Sequence, residues 1–255
     1  MSMVYLSVVI PAYKEVENLQ RDVLLEVYDY LKKQKYTWEV LVVDDGSPDK
    51  TADVALGKIR KLKNFRILRE PHRGKGGTVI AGALAAKGNI VLFTDMDQAT
   101  PITQLSKILP KFSEGFDIVI GSRSGRKGAP AIRKLMALGF QVLRTIILRL
   151  PYRDTQCGFK AFTRESGRDI FTYMKIFSEK NTSRNAGVTA GFDLELLYLA
   201  RKLNYKVSEV PVIWRYQETE RVSAIKDSWE GLRDMLEVRL NALTGKYKIS
   251  AKTSK

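Results

Sequence analysis

The sequence predicts an α/β fold: a mostly parallel sheet with helices on both faces. Three observations predict it. Apolar runs of strand length recur at residues 6–10, 38–43 and 89–94. Stretches with a helical apolar period separate them. Two of the runs end in acid, Val43-Asp44-Asp45 and Thr94-Asp95-Met96-Asp97, and strand ends of such sheets open into a crevice.

The elements follow in order. Residues 6–10 form a first, buried strand. Residues 17–33 read as an amphipathic helix with Leu19, Val23, Leu24, Val27, Tyr30 and Leu31 on one face. The second strand, 38–43, leads to Ser47-Pro48-Asp49, where Ser47 suits a helix cap and Pro48 the first helical position. A third strand spans 65–68. Gly74-Lys75-Gly76-Gly77 then leads into a helix over 78–86. Strands four and five occupy 89–94 and 117–121. The second half is less regular: helix 131–150, strand 158–163, helix 192–202, strand 206–214 and an amphipathic helix over 228–243. The simplest division is one domain, residues 1–245, with a basic tail, 246–255, expected to fray.

With 255 residues the chain is long enough to bury a substantial core. Its net charge of +15 favours anionic partners: nucleic acid, anionic membrane or a phosphorylated substrate. One cysteine, Cys157, excludes an internal disulfide and reads as a small buried residue. A strand starts at once, with no signal-peptide pattern, so a cytoplasmic setting is expected. No segment reaches the ~18 uncharged apolar residues of a membrane span. Arg144 and Arg149 interrupt the nearest candidate, 135–150.

In this order, Pro11-Ala12-Tyr13-Lys14-Glu15, Val43-Asp44-Asp45-Gly46-Ser47, Asp95-Met96-Asp97, Gly121-Ser122-Arg123 and Asp154-Thr155-Gln156-Cys157-Gly158-Phe159-Lys160 resemble the motifs of family 2 glycosyltransferases. The resemblance covers roughly residues 4–230 and implies a GT-A fold, a Rossmann-like nucleotide-diphospho-sugar transferase fold. Within the family the chain is most similar to dolichyl- or polyprenyl-phosphate β-glucosyltransferases, through Asp95-Met96-Asp97-Gln98-Ala99-Thr100 and Gly191-Phe192-Asp193-Leu194-Glu195. It implies a UDP-sugar donor, a polyprenyl-phosphate acceptor and a divalent cation, Mg²⁺ or Mn²⁺. Asp97 would ligate that cation, with Asp95 near the ribose or metal, since hard cations take oxygen ligands. The plain alternative is two solvated acids at a turn.

The resemblance assigns Pro11, Ala12, Tyr13 and Glu15 to the base and ribose, and Asp45 to the base. Asp44 either orients that loop or is a turn acid. Gln98 adds a polar donor contact. Mannosyl relatives carry a glutamine one position later, where Ala99 stands, which points away from mannose. Lys75, in the glycine-rich loop, is either a phosphate contact at a helix start or a solvated turn residue. His72, the single histidine, reads as a surface loop residue. Arg123 is expected to clamp phosphate with its planar guanidinium, or to be part of a solvated basic loop with Arg126, Lys127 and Arg133.

Asp154 lies near the acceptor in the resembled family, as general base, as orienter or as a help to the metal. A phosphate monoester is largely dianionic at neutral pH, its second pKa being ~6, and hardly needs a base. Asp193 is the other candidate base, or a helix N-terminal acid favoured by the dipole. Arg133, Asp193, Arg221 and Ser223 form the acceptor set. Segment 131–153 is either a basic amphipathic helix lying in a membrane interface or a core helix with charged edges. Peripheral contact at the cytoplasmic membrane face, or an integral membrane partner, would bring the chain to a lipid acceptor. Segment 214–223 resembles a loop that closes over the site. The Gln-x-x-Arg-Trp motif of processive relatives is missing, which predicts a single transfer. The rivals are the same chemistry with GDP-mannose, and a non-enzymatic basic module binding RNA or membrane. No RNA-binding motif appears, and acidic strand ends repel a polyanion, so no nucleic-acid partner is expected.

Overall fold

The computed structural model describes residues 3–123, 131–175, 191–215 and 224–249, with the backbone alone for 131–137 and 224–228. Seven strands form one sheet in the order β3-β2-β1-β4-β6-β5-β7. They are β1 (Leu6–Ala12), β2 (Trp38–Asp45), β3 (Phe65–Glu70), β4 (Ile90–Thr94), β5 (Ile118–Arg123), β6 (Phe159–Thr163) and β7 (Val207–Val212). All neighbours pair parallel except β6, which runs antiparallel between β4 and β5. The helices are α1 (Val16–Gln20), α2 (Val23–Leu31), α3 (Thr51–Ile59), α4 (Gly74–Ala85), α5 (Leu105–Ser113), α6 (Ala131–Leu148), α7 (Arg164–Tyr173), α8 (Gly191–Lys202) and α9 (Ala224–Leu243).

The strands are apolar on both faces because both faces are covered. Val9, Leu41, Val43, Val91 and Phe93 enter one core with residues of α4, α7, α8 and α9. Their neighbours Val8, Ile10, Val40, Val42 and Leu92 enter the other with residues of α1, α2, α3 and α5. That is the period-two alternation of a pleated strand. Each fully buried Val, Leu or Ile contributes roughly 1.5–3 kcal/mol, so this double core holds the sheet flat against its helices. Gly82 lets α4 press close: a Cβ there would lie 2.4 Å from Val9 Cγ1.

Several local expectations are corrected. The helix expected over 17–33 is two helices, broken at Asp22, whose φ of 57° is left-handed. A short polar side chain tolerates that conformation better than most. Helix α3 starts at Thr51, where Asp49 Oδ1 accepts from Thr51 N at 3.0 Å; Ser47 instead accepts from Lys14 N at 3.3 Å. Helix α4 starts four residues early, so the glycine-rich run is its first turn. Helices α5 and α7 were not expected: Pro110 lies inside α5, and α7 is capped by Thr163, which accepts from Ser166 N at 3.2 Å. The first residues of the basic tail are described. Tyr247 is buried beside Tyr198, ring centroids 6.0 Å apart, because its ring completes the α8–α9 core; 250–255 lie outside the described residues.

The chain runs β1 to β3 outward on one side, then returns to place β4 on the other side of β1. Such a reversal leaves a crevice at the carboxyl ends of the strands. The ends of β1, β2, β4 and β5 all point to that edge.

Candidate active site

The end of β1 and the end of β2 build one wall. Lys14 takes a left-handed φ of 56°, which turns the chain after Tyr13. The Tyr13 ring stacks on His72, centroids 4.1 Å apart and planes 12° from parallel, with Lys14 Nζ 5.4 Å from the Tyr13 centroid. His72 Nδ1 lies 2.9 Å from Asp45 Oδ2 and 3.0 Å from Asp45 O; both are acceptors, so Nδ1 carries the proton. Asp45 Oδ1 accepts from Arg73 N at 2.8 Å. His72 is therefore part of the wall, not a bare surface residue. Asp45 is buried, and its two oxygens hold the loop after β3. Asp44 accepts from Ser47 N at 3.3 Å, as a turn acid does. Pro11 and Ala12 close β1, and the Glu15 carboxylate accepts from Asn18 while its N donates to Thr51 Oγ1 at 2.9 Å.

The floor is a cluster of alternating charge. Asp95 and Asp97 follow β4, and Lys75, in the first turn of α4, pairs with Asp95. Burial pulls the Lys75 ammonium down, but Asp95, Asp193 and Asp97 more than offset it and hold its pKa above the ordinary value. Burial and the neighbouring Asp95 push the Asp97 carboxyl up, although Ala99 N donates to its Oδ1 at 2.9 Å. Gln98, at a left-handed φ of 50°, turns inward: Nε2 donates to Asp95 O at 2.9 Å, and Oε1 is buried without a partner among the described residues. It thus braces the acidic loop. Gly158, just before β6, makes room for Asp95, because a Cβ there would lie 1.9 Å from Asp95 Oδ2.

Beneath the floor sits Lys160, on the central strand β6 and fully buried. Its Nζ lies 2.8 Å from Asp193 Oδ1, donates to Cys157 O, and stands 5.3 Å from the Phe93 ring centroid. A buried ammonium needs such a set of partners. Burial raises the Asp193 pKa, while Lys160 and Lys75 pull against it.

The third wall is an Arg–carboxylate fork. Arg123, at the end of β5, gives Asp154 Oδ2 its N at 3.0 Å and Nε at 2.6 Å, and gives Oδ1 its Nη2 at 2.8 Å. Burial would raise the Asp154 pKa; Arg123 outweighs it and brings the carboxyl down to about 2. In this arrangement both Asp154 oxygens are engaged and the Arg123 fork grips a carboxylate. Arg123 also stands 5.6 Å from the Trp214 ring. Glu209 of β7 accepts from Asp154 N at 2.8 Å and Arg153 N at 2.9 Å, and buried Arg144 donates to Thr155 Oγ1 at 3.0 Å. The loop after β7 reaches the acidic loop, Arg215 N donating to Ala99 O at 2.8 Å. Cys157 is buried, which pushes its thiol pKa up.

Tyr13, Lys75, Asp95, Asp97, Asp193, Arg123 and Asp154 thus border one edge of the sheet. Arg133 lies on α6, where only the backbone is described, and Arg126, Lys127, Arg221 and Ser223 lie outside the described residues. Sequence reasoning gave no role to Lys160, Gly158 or Glu209. A lysine inside the apolar run Phe159-Lys160-Ala161-Phe162 was the available signal, since a central strand tolerates it only with an acid partner.

Comparison with known proteins agrees with this geometry. The chain matches the profile of Glycosyl transferase family 2 over residues 7–171. It is 36% identical to a dolichyl-phosphate beta-glucosyltransferase of Trichomonas vaginalis, covering 94% of this chain and 76% of that protein. It is 33% identical to the Homo sapiens dolichyl-phosphate beta-glucosyltransferase, covering 96% and 78%. Among solved structures, mannosyl-3-phosphoglycerate synthase from Rubrobacter xylanophilus aligns with TM-score 0.65 at 18% identity, over 97% of this chain and 77% of that one. Glucosyl-3-phosphoglycerate synthase from Mycobacterium tuberculosis, in complex with Mn²⁺, UDP-glucose and phosphoglyceric acid, aligns with TM-score 0.62 at 18% identity, over 92% and 80%. The switch-point crevice with its acidic strand ends and the family match lead to one placement: the chain belongs to glycosyl transferase family 2, is a glycosyltransferase and has the GT-A fold.

Proposed function

We propose that this enzyme transfers glucose from UDP-glucose to a polyprenyl phosphate of the dolichyl type, with inversion, giving a β-linked lipid-phosphate sugar. The observation that carries the reading is the charge cluster of Lys75, Asp95 and Asp97 at the β1–β4 switch point. A nucleotide diphosphate needs such a site. The dolichyl-phosphate beta-glucosyltransferases at 33–36% identity support the sugar and the acceptor.

The acidic pair fits a divalent cation. Both donors are carboxylate oxygens, and burial together with the charge of Asp95 raises the Asp97 pKa, a cost that a cation relieves. Asp97 and Asp95 would hold Mg²⁺ or Mn²⁺, which when bound would neutralise the charge of the departing UDP. The remaining work falls to the chain itself. Tyr13, Glu15 and the backbone of the β1 loop border the nucleoside, and Lys75 faces the pyrophosphate with a fixed positive charge. An acceptor phosphate oxygen attacks the anomeric carbon from the face opposite UDP. The carbon–oxygen bond to UDP breaks as the new bond forms, and the pyrophosphate takes the electron pair. The acceptor is already anionic, so no side chain must remove a proton. Asp154 accordingly serves as a clamp on Arg123, and Asp193 holds Lys160 and adds negative charge near Lys75. The enzyme would sit peripherally on the cytoplasmic face of a membrane, where the lipid phosphate lies.

Thermal shift with UDP, GDP and UDP-glucose, with and without Mn²⁺, is the first test. A metal-dependent rise with UDP and UDP-glucose is expected. A rise with GDP alone would transfer the reading to GDP-mannose. Mass spectrometry of products from a mixture of polyprenyl phosphate and 3-phosphoglycerate then decides the acceptor, and a glycosylated phosphoglycerate with no lipid product sinks the lipid reading.

A further inference from the structure

Eight of the twelve large apolar side chains exposed among the described residues sit on two helices, α6 and α9, which pack against each other. On α6, Leu138, Val142 and Ile146 recur every four residues and form one stripe, with Ile146 70% exposed. On α9, Trp229, Leu236, Leu240 and Leu243 form a second, with Trp229 71% exposed. The opposite faces are packed: Leu148 of α6, and Met235 and Val238 of α9, are in the core. These stripes are surplus to the fold.

We propose that the α6 and α9 stripes are a docking face for an anionic lipid bilayer. The occupant follows from charge. Arg149 follows the end of α6, and Arg233 lies in the α9 stripe between Trp229 and Leu236; both are exposed. Lys246 and Lys248, also exposed, follow the end of α9. The acids of this part of α9, Glu230 and Glu237, are half-buried, and Asp234 is buried where its Oδ2 accepts from Gly191 N at 3.2 Å. Apolar stripes with exposed cations match a headgroup–acyl boundary with anionic lipid. A second copy fits worse, because a twofold pairing of these faces brings like charges together on a chain of net charge +15. No helix among the described residues is long and apolar enough to cross a membrane, so the contact lies on the surface. Helix α6 also joins the two segments that carry Arg123 and Asp154, so docking there keeps that wall of the site at the headgroups. The inference rests on the proposed lipid acceptor only for its purpose, not for its chemistry.

The test uses the full chain and vesicles of phosphatidylglycerol and phosphatidylcholine in equal parts, free of isoprenoid phosphate, against vesicles of phosphatidylcholine alone. Co-sedimentation and a blue shift of tryptophan fluorescence that is lost in Trp229→Phe report binding. The wild type is expected to prefer the anionic vesicles and to weaken with salt. The variants Leu138→Glu/Ile146→Glu and Leu236→Glu/Leu240→Glu are each expected to bind more than about tenfold more weakly. They should keep the wild-type circular dichroism and the same thermal rise with UDP and Mn²⁺. Variants that fold and bind vesicles like the wild type overturn the proposal. So does a wild-type dimer that the substitutions dissociate while vesicle binding stays unchanged. Vesicle binding without any lipid product would remove the proposed acceptor alone, whereas lipid product in detergent without vesicle binding would remove the docking face alone.

Discussion

Replacing Asp154 with asparagine separates a structural clamp from a proton acceptor. The carboxylate is 8% exposed and takes Arg123 Nε at 2.6 Å. Burial alone would lift its pKa, yet the Arg123 hydrogen bonds and charge lower it from 3.8 to about 2. At about 1.4 kcal/mol per pH unit, that depression corresponds to about 2 kcal/mol of stability. A depressed acid contributes above its unfolded pKa, so the contribution is complete above about pH 4 and is lost as pH falls toward 2. The variant also leaves Arg123 without a counter-charge, and breaking a buried pair costs roughly 3–5 kcal/mol in all. Asp154→Asn should therefore unfold in urea with a stability about 3 kcal/mol below wild type at pH 7. The gap should narrow by about 2 kcal/mol as the pH is lowered to 2. The wild-type rate near neutral pH should show no ionisation limb from this residue. Equal stability at pH 7, a gap that does not change with pH, or a neutral-range limb that vanishes in the variant would refute the clamp.

Asp97→Ala should abolish turnover and the Mn²⁺-dependent thermal response to UDP while leaving circular dichroism unchanged; near-normal turnover removes Asp97 from the metal site. Gly158→Ala drives a Cβ into Asp95 Oδ2, so turnover should fall by roughly a hundredfold, as a 1 Å misplacement can cause. A fully active alanine enzyme would show that Asp95 has freedom to move. Lys160→Met strands Asp193 in the core and should cost roughly 3 kcal/mol, whereas Lys160→Met with Asp193→Leu should cost clearly less than the two single changes together. Additive losses in denaturant melts contradict the pair. His72→Ala removes the plate behind Tyr13 and should raise the donor KM about fivefold with little change in kcat, stacking of this kind contributing ~1 kcal/mol; an unchanged KM would remove the wall from donor binding.

The sheet was legible because its strands advertise themselves: Val40, Val42 and Leu41, Val43 alternate between two cores, so both sides had to be apolar. The acidic ends of β2 and β4 were legible for the same reason, as charge at the end of an apolar run needs a site or water. Helices α5 and α7 were hidden, one by an internal proline and the other by a polar sequence with few apolar residues. The break at Asp22 is a backbone event that an apolar period cannot report. Within the site, spacing located Asp95, Asp97, Arg123 and Asp154 but not whom they face. That Arg123 grips Asp154, or that His72 backs Tyr13, depends on loops 31 and 59 residues apart meeting in space.

The reversed direction of β6 has an outcome for how this scaffold can change. Everything from β1 to the acidic loop is laid down before residue 98, while the fork and its supports come from residues 118–209. The two halves share one sheet and one core, and within the site they meet where β6 lies beside β4 and Gly158 nestles against Asp95. A change in the later half can therefore reshape the fork while the acidic loop stays as it is, provided that the packing of Gly158 on Asp95 is kept.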